Sequence, residues 1–91
     1  MSTDVRRAFD TAMKQVARLA LSGVAAADGS PLAPKLDSLV TRLRAGRAAL
    51  DADGGVDPTW LRETIRDAAQ WLPDDGLPLL ASLGRIARAV R

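Results

Sequence analysis

Apolar residues recur at three- and four-residue steps along four stretches of this chain, a spacing typical of amphipathic helices. The first stretch covers residues 3–27, and the predicted helix is near 36 Å long at about 1.5 Å per residue. Its apolar stripe consists of Val5, Phe9, Ala12, Met13, Val16, Leu19, Ala20, Gly23, Val24 and Ala27.

Three shorter helices are predicted near residues 33–51, 57–72 and 76–90, separated by turns that contain glycine and proline. No stretch alternates apolar and polar residues as a half-buried strand does. Each helix carries an apolar stripe, and packing the four together buries these stripes. The pattern therefore predicts one all-α domain over residues 1–91, an antiparallel four-helix bundle.

Single residues refine this prediction at three positions. Asp57 and Pro58 form a helix start, with Asp as the N-cap and Pro in the first turn. Asp74 or Asp75 is expected to cap the fourth helix. Gly46 stands in the apolar seam of the second helix, where glycine costs roughly 1 kcal/mol of helix propensity relative to alanine. Its presence predicts the close approach of a neighbouring helix.

The first predicted helix is longer than the other three. It must overhang its neighbours, bend near Gly23, or pack against another subunit. The mismatch favours a partner, and the small core of a 91-residue chain favours self-association.

Composition narrows the possible chemistry. The chain has no His, Cys, Tyr or Asn and a single glutamate, Glu63, which leaves few side chains for acid–base, nucleophilic or metal chemistry. The loop 51–57 alternates aspartates, but Val56 and Arg62 stand at the sixth and twelfth positions, where a calcium loop requires glycine and glutamate, and this indicates a capped turn. We therefore expect no enzymatic activity, no cofactor and no metal. No apolar run is long enough to span a bilayer, so we expect a cytoplasmic protein without a membrane partner.

Two tryptophans on the third helix offer a candidate interaction surface. Trp60 and Trp71 are eleven residues apart, which places them within about 20° of the same direction, three turns apart. Indoles at this position can seal the edge of the core with their N–H groups in water. Alternatively, they flank a groove, with Thr64 and Asp67 between them, that receives another helix or chain.

Arginines cluster on the second and fourth helices. Such clusters can bind phosphates, which favours an anion site or a nucleic-acid partner. Interleaved carboxylates and a net charge of only +2 favour an ordinary solvated face instead. The residues concerned are Arg42, Arg44, Arg47, Arg85, Arg88 and Arg91.

The triplet Asp37-Ser38-Leu39 opens the second predicted helix. It resembles the attachment motif of the small four-helix acyl carrier proteins, and the resemblance implies that Ser38 carries phosphopantetheine. The similarity covers three residues. The second helix here is rich in arginine, whereas carrier proteins present an acidic one, and residues 33–36 replace the glycine-containing stretch that usually precedes the motif.

These observations rank three functions. We expect a non-enzymatic protein–protein interaction module, such as a small subunit, adaptor or assembly factor, that self-associates. The first alternative is a nucleic-acid-associated accessory protein that uses the arginine clusters. The second alternative is an atypical acyl-carrier-like protein.

Overall fold

The structure, a computed structural model, describes residues 2–53 and 55–90. Over these residues the chain forms four α-helices that pack against one another, with no β-strand, and this confirms the predicted all-α bundle. The helices are α1 (Ser2–Leu21), α2 (Ala33–Asp53), α3 (Pro58–Trp71) and α4 (Leu77–Ala89), and a short 3₁₀ turn (Asp74–Gly76) precedes α4.

Neighbouring helices run antiparallel around the bundle. Helix α1 packs between α2 and α4, and α3 closes the ring against α4 and α2. On α1, the side chain of Gln15 accepts a 2.6 Å hydrogen bond from Ser82 of α4, and Asp10 pairs with Arg47 of α2. In the described part of the chain, α2 and α4 lie diagonally across the bundle and do not pack against each other.

The core is built mainly from the predicted apolar stripes. Every helix contributes leucine, isoleucine, valine or alanine, and one phenylalanine from α1 lies at the centre without any exposure. The largest fully buried side chains are those of Phe9, Leu36, Leu43, Leu61, Leu79, Leu83, Ile86 and Thr64.

The first helix is shorter than its apolar stripe predicts. It ends at Leu21, and Ser22 bonds back to the carbonyl oxygen of Leu19 through both its backbone N–H and its hydroxyl. Gly23 follows with a positive φ of 75°, the left-handed conformation in which glycine commonly terminates a helix. The predicted extension to Ala27 is therefore wrong, because Ser-Gly acts as a C-terminal stop.

The segment 22–32 forms an ordered turn over one end of the core. Ala26 is buried and its N–H donates to the carbonyl oxygen of Ser30, while Ala27 donates to the carbonyl oxygen of Trp71 at 2.8 Å. Asp28 accepts hydrogen bonds from the backbone N–H and the hydroxyl of Ser30, and the hydroxyl bond is the main cause of the lowered pKa of Asp28. The turn thus ties the end of α1 to the end of α3.

The shorter α1 removes the predicted length mismatch with α2. The two helices contain 20 and 21 residues, so each is about 30 Å long. Both helices remain longer than α3 and α4, which contain 14 and 13 residues, so α1 does not overhang all of its neighbours and self-association stays a prediction.

The two predicted aspartate caps have different outcomes. Asp57 accepts a hydrogen bond from the backbone N–H of Thr59 at 3.0 Å and has extended backbone angles, so it is the N-cap of α3 as predicted. For α4 the prediction of Asp74 or Asp75 is wrong. Gly76 occupies the N-cap position without a side-chain hydrogen bond, because the aspartates belong to the preceding 3₁₀ turn.

Candidate functional site

The candidate site is the boundary between α2 and α3, called here the α2–α3 seam. At its centre the ring of Trp60 lies against the backbone of Gly46. A Cβ atom added to Gly46 would lie 3.0 Å from Cη2 of Trp60 and 3.1 Å from Cε1 of Phe9. No larger residue fits this position without displacing a ring, which confirms the predicted close approach.

One end of the α2–α3 seam opens into an apolar cleft beside Trp60. The indole is half-buried, so part of its ring remains accessible. The cleft has a volume of about 210 Å³ and is walled mainly by small side chains of α2 and by the residues that lead into α3. The lining residues are Ala45, Gly46, Ala49, Val56, Asp57 and Trp60.

The other end of the α2–α3 seam opens into a polar cleft beside Trp71, with a volume of about 230 Å³. Asp67 lies across from Arg42, whose Nη1 is 3.7 Å from Oδ2 of the carboxylate, and both side chains are about half exposed. The indole N–H of Trp71 donates to the same oxygen at 3.5 Å. Because both distances are long, Asp67 holds Arg42 only weakly. The lining residues are Pro34, Lys35, Ser38, Leu39, Arg42, Asp67 and Trp71.

The four residues predicted for a tryptophan groove do not share one surface. Trp60 and Asp67 are accessible, but Trp71 is 7% exposed and contributes mainly to the core. Thr64 is 1% exposed and its hydroxyl donates to the carbonyl oxygen of Trp60. The prediction that Thr64 contacts a partner is therefore wrong, because its side chain turns inward and satisfies its own helix.

Arg47 of α2 belongs to an ion-pair network. Pairing with carboxylates is what the interpretation as an ordinary solvated face predicts. Its guanidinium lies 2.8 Å from Asp10 and 2.6 Å from Asp51, and Asp51 also pairs with Arg6 at 2.7 Å. The hydrogen bond to Asp10 is the main cause of the raised pKa of Arg47. This network ties α1 to α2 and leaves little of Arg47 for an external anion.

The remaining predicted anion-binding residues are divided between distant helices. Arg44 is exposed on α2, while Arg85 and Arg88 are exposed on α4. Arg91 lies outside the described residues. Because α2 and α4 are diagonal to each other, the two predicted clusters do not form one site.

The structure also gives the surroundings of Ser38, the predicted attachment site, and of the aspartates in the loop 51–57. Ser38 is exposed in the second turn of α2 and lines the polar cleft, so the attachment of a prosthetic group there stays a prediction. In the loop 51–57, Asp51 binds arginines and Asp57 caps α3. Asp53 is the remaining aspartate of the predicted turn, and its side chain lies outside the described residues.

Sequence reasoning missed the α2 wall of the α2–α3 seam. Lys35, Ala45 and Ala49 line the clefts but were not singled out. Each is three or seven residues from Arg42, a spacing that places all of them on one face of a helix. This spacing is the sequence feature that could have identified them. This face does not stand out in the sequence, because α2, unlike α1 and α3, lacks a sharp division between polar and apolar faces.

No known protein family, curated protein or solved structure matches this chain. Within the described residues, no helix is both long enough and apolar enough to cross a membrane.

Proposed function

We propose that this chain is a non-enzymatic protein-interaction module that binds an amphipathic helical segment of another protein along the α2–α3 seam. One observation carries the proposal: two clefts of different chemistry open on the same seam. The cleft beside Trp60 is lined by small apolar groups, and the cleft beside Trp71 presents two cations, Lys35 and Arg42.

The two clefts define the partner's chemistry. An apolar side chain of the partner fits between Ala45, Ala49 and Trp60, where burial replaces contact with water. A carboxylate of the partner fits beside Lys35 and Arg42, where it displaces the weakly held Asp67 from the guanidinium. Arginine and tryptophan are the residue types that most often dominate binding energy at interfaces.

The spacing of the clefts sets the partner's pattern. Along α2 the lining of the apolar cleft is centred about eight residues from the midpoint of Lys35 and Arg42, which corresponds to about 12 Å of helix axis. A partner helix would present an apolar and an acidic residue seven or eight positions apart, since seven residues return almost to the same face.

Selection from a phage-displayed library of helical peptides tests the proposal. We expect the enriched peptides to carry an apolar and an acidic residue at the stated spacing. Binding should fall at least tenfold for Lys35→Gln/Arg42→Gln and should persist for Arg85→Gln/Arg88→Gln, which makes the same change in net charge on another helix.

A second pair of variants tests the apolar cleft without removing core atoms. Ala49→Gln places a longer side chain in the cleft, whereas Ala48→Gln adds the same group on an exposed face of the same helix. Only the first should weaken peptide binding. Equal effects of the two variants, or enrichment of peptides without the acidic residue, would overturn the proposal.

A further inference from the structure

A second surface with a different chemistry lies on the solvent side of α1 and α4. Two cations of α1, Arg7 and Lys14, and two cations of α4, Arg85 and Arg88, are all exposed, and Arg88 also borders a cleft between α4 and the start of α3. Among the described residues, no carboxylate lies within salt-bridge distance of any of these four groups. We call these four residues the α1–α4 basic patch.

The antiparallel packing of the two helices concentrates these charges. Ser82 lies opposite Gln15, so Arg85 is level with about residue 12 of α1 and Arg88 with about residue 9. Lys14 and Arg7 lie just beyond these levels. Four cations therefore lie within about 10 Å along the helix axes, on two helices whose axes are typically about 8–10 Å apart.

In the part of the chain that the structure describes, the carboxylates on and beside α1 and α4 lie at the margin of the α1–α4 basic patch. Asp4 is exposed one turn before Arg7. Asp10 points toward α2, where it binds Arg47. Asp75 lies near the start of α4, in a cleft with Arg18 and away from Arg85.

We infer that the α1–α4 basic patch binds the phosphate backbone of duplex nucleic acid, independently of base sequence. About 10 Å of duplex carries about six phosphate charges, a density that matches four closely spaced cations. Single strands are bound largely through aromatic stacking. The three aromatic residues of the chain lie elsewhere, since Phe9 is fully buried and both tryptophans lie on the α2–α3 seam.

The position of the exposed apolar residues favours nucleic acid over a lipid surface. A membrane-binding face combines cations with large apolar side chains. Leu21 and Leu77 are 89% and 59% exposed, but they lie at the opposite ends of α1 and α4 from Arg7 and Arg88.

A salt titration of binding to a mixed-sequence DNA duplex of about 20 base pairs tests this inference. With four phosphate contacts, we expect log Kd to change with log salt concentration with a slope of about 3.6 in magnitude, or roughly 150-fold between 50 and 200 mM salt. A single strand of the same length should bind more weakly.

Matched variants assign the effect to the α1–α4 basic patch. Arg85→Gln/Arg88→Gln should lower the slope by about 1.8, whereas Arg44→Gln/Arg66→Gln, which removes two exposed arginines of α2 and α3, should leave it unchanged. Circular dichroism checks that both variants remain helical. Failure to bind duplex at about 50 mM salt, equal effects of the two variants, or stronger binding to anionic vesicles or single strands would overturn the inference.

Discussion

Two opposite seams of this bundle are packed in different ways. Between α1 and α4 the helices approach closely, and the buried Ser82 donates a hydrogen bond to Gln15. A cleft of about 150 Å³ opens at the end of this seam, beside Asp75 and Pro78. Between α2 and α3 the ring of Trp60 lies against the backbone of Gly46, and clefts open beside Trp60 and Trp71.

The difference indicates that one seam contributes mainly to stability, whereas the other leaves a surface for binding. A closely packed seam maximises contact and leaves little concave surface for partners. A seam held apart by large indoles leaves accessible concave surface, which a ligand or partner can fill. A chain of 91 residues has a modest margin of stability, and open apolar surface lowers that margin further. The presence of such surface therefore favours a role in binding.

Shortening a core side chain on α4 should have the largest effect. Leu83 is fully buried, and Leu83→Ala leaves a cavity in the well-packed half of the bundle. We expect a loss of about 2–5 kcal/mol in the free energy of unfolding, measured by urea denaturation. A loss below about 1 kcal/mol would show that this half is not closely packed.

A pair of glycine substitutions compares the seams directly. Gly46→Ala should destabilise by about 1–2 kcal/mol, because overpacking against Trp60 and Phe9 outweighs the gain in helix propensity. Gly84 of α4 has open space around it, so Gly84→Ala should stabilise by about 0.5–1 kcal/mol. Urea denaturation of both variants gives the two signs. Stabilisation by both would contradict the close approach at Gly46.

The helices and the contact at Gly46 were predictable from the sequence, whereas the end of α1 was not. Hydrophobic spacing predicted the four helices because each must bury one stripe, and Gly46 predicted a close contact because glycine is otherwise unfavourable in a helix. The end of α1 was missed because Val24 and Ala27 continue the stripe in phase, although Ser22-Gly23 carries the stop signal.

The candidate site was predictable only in part. The common direction of Trp60 and Trp71 pointed to α3, but a single helix does not reveal which neighbour covers it. The burial of Thr64 depends on that packing, and so does the pairing of Asp67 with Arg42. The cleft residues of α2 have no unusual composition, so their role emerges only when α3 is placed beside them.

Removing the hydrogen bond between α1 and α4 should have a smaller effect. Ser82→Ala leaves the half-buried Gln15 without its partner and should cost about 1 kcal/mol in unfolding free energy. The double variant Ser82→Ala/Gln15→Leu should recover most of this loss, because neither polar group is then left unpaired. If the double variant is no more stable than the single one, the hydrogen bond is not what couples the two helices.

The smallest expected effect concerns the turn that ties α1 to α3. The pKa of Asp28 is lowered in the folded protein by the hydroxyl of Ser30, so the carboxylate stabilises the fold at pH values above its ordinary pKa. This contribution is lost as the pH falls through the lowered folded-state pKa. Asp28→Ala should therefore lower the urea midpoint slightly at pH 7, and the difference from the parent chain should shrink as the pH falls below the ordinary pKa of aspartate.

The two tryptophans provide the most direct test of the α2–α3 seam as a binding surface. Each gives one indole N–H signal in a ¹H–¹⁵N spectrum, and Trp60→Phe assigns them. During titration with a library-selected peptide, both indole signals and the amide signals of Lys35 and Ala49 should shift together. Unchanged indole signals, with shifts confined to α1 and α4, would contradict the proposed function.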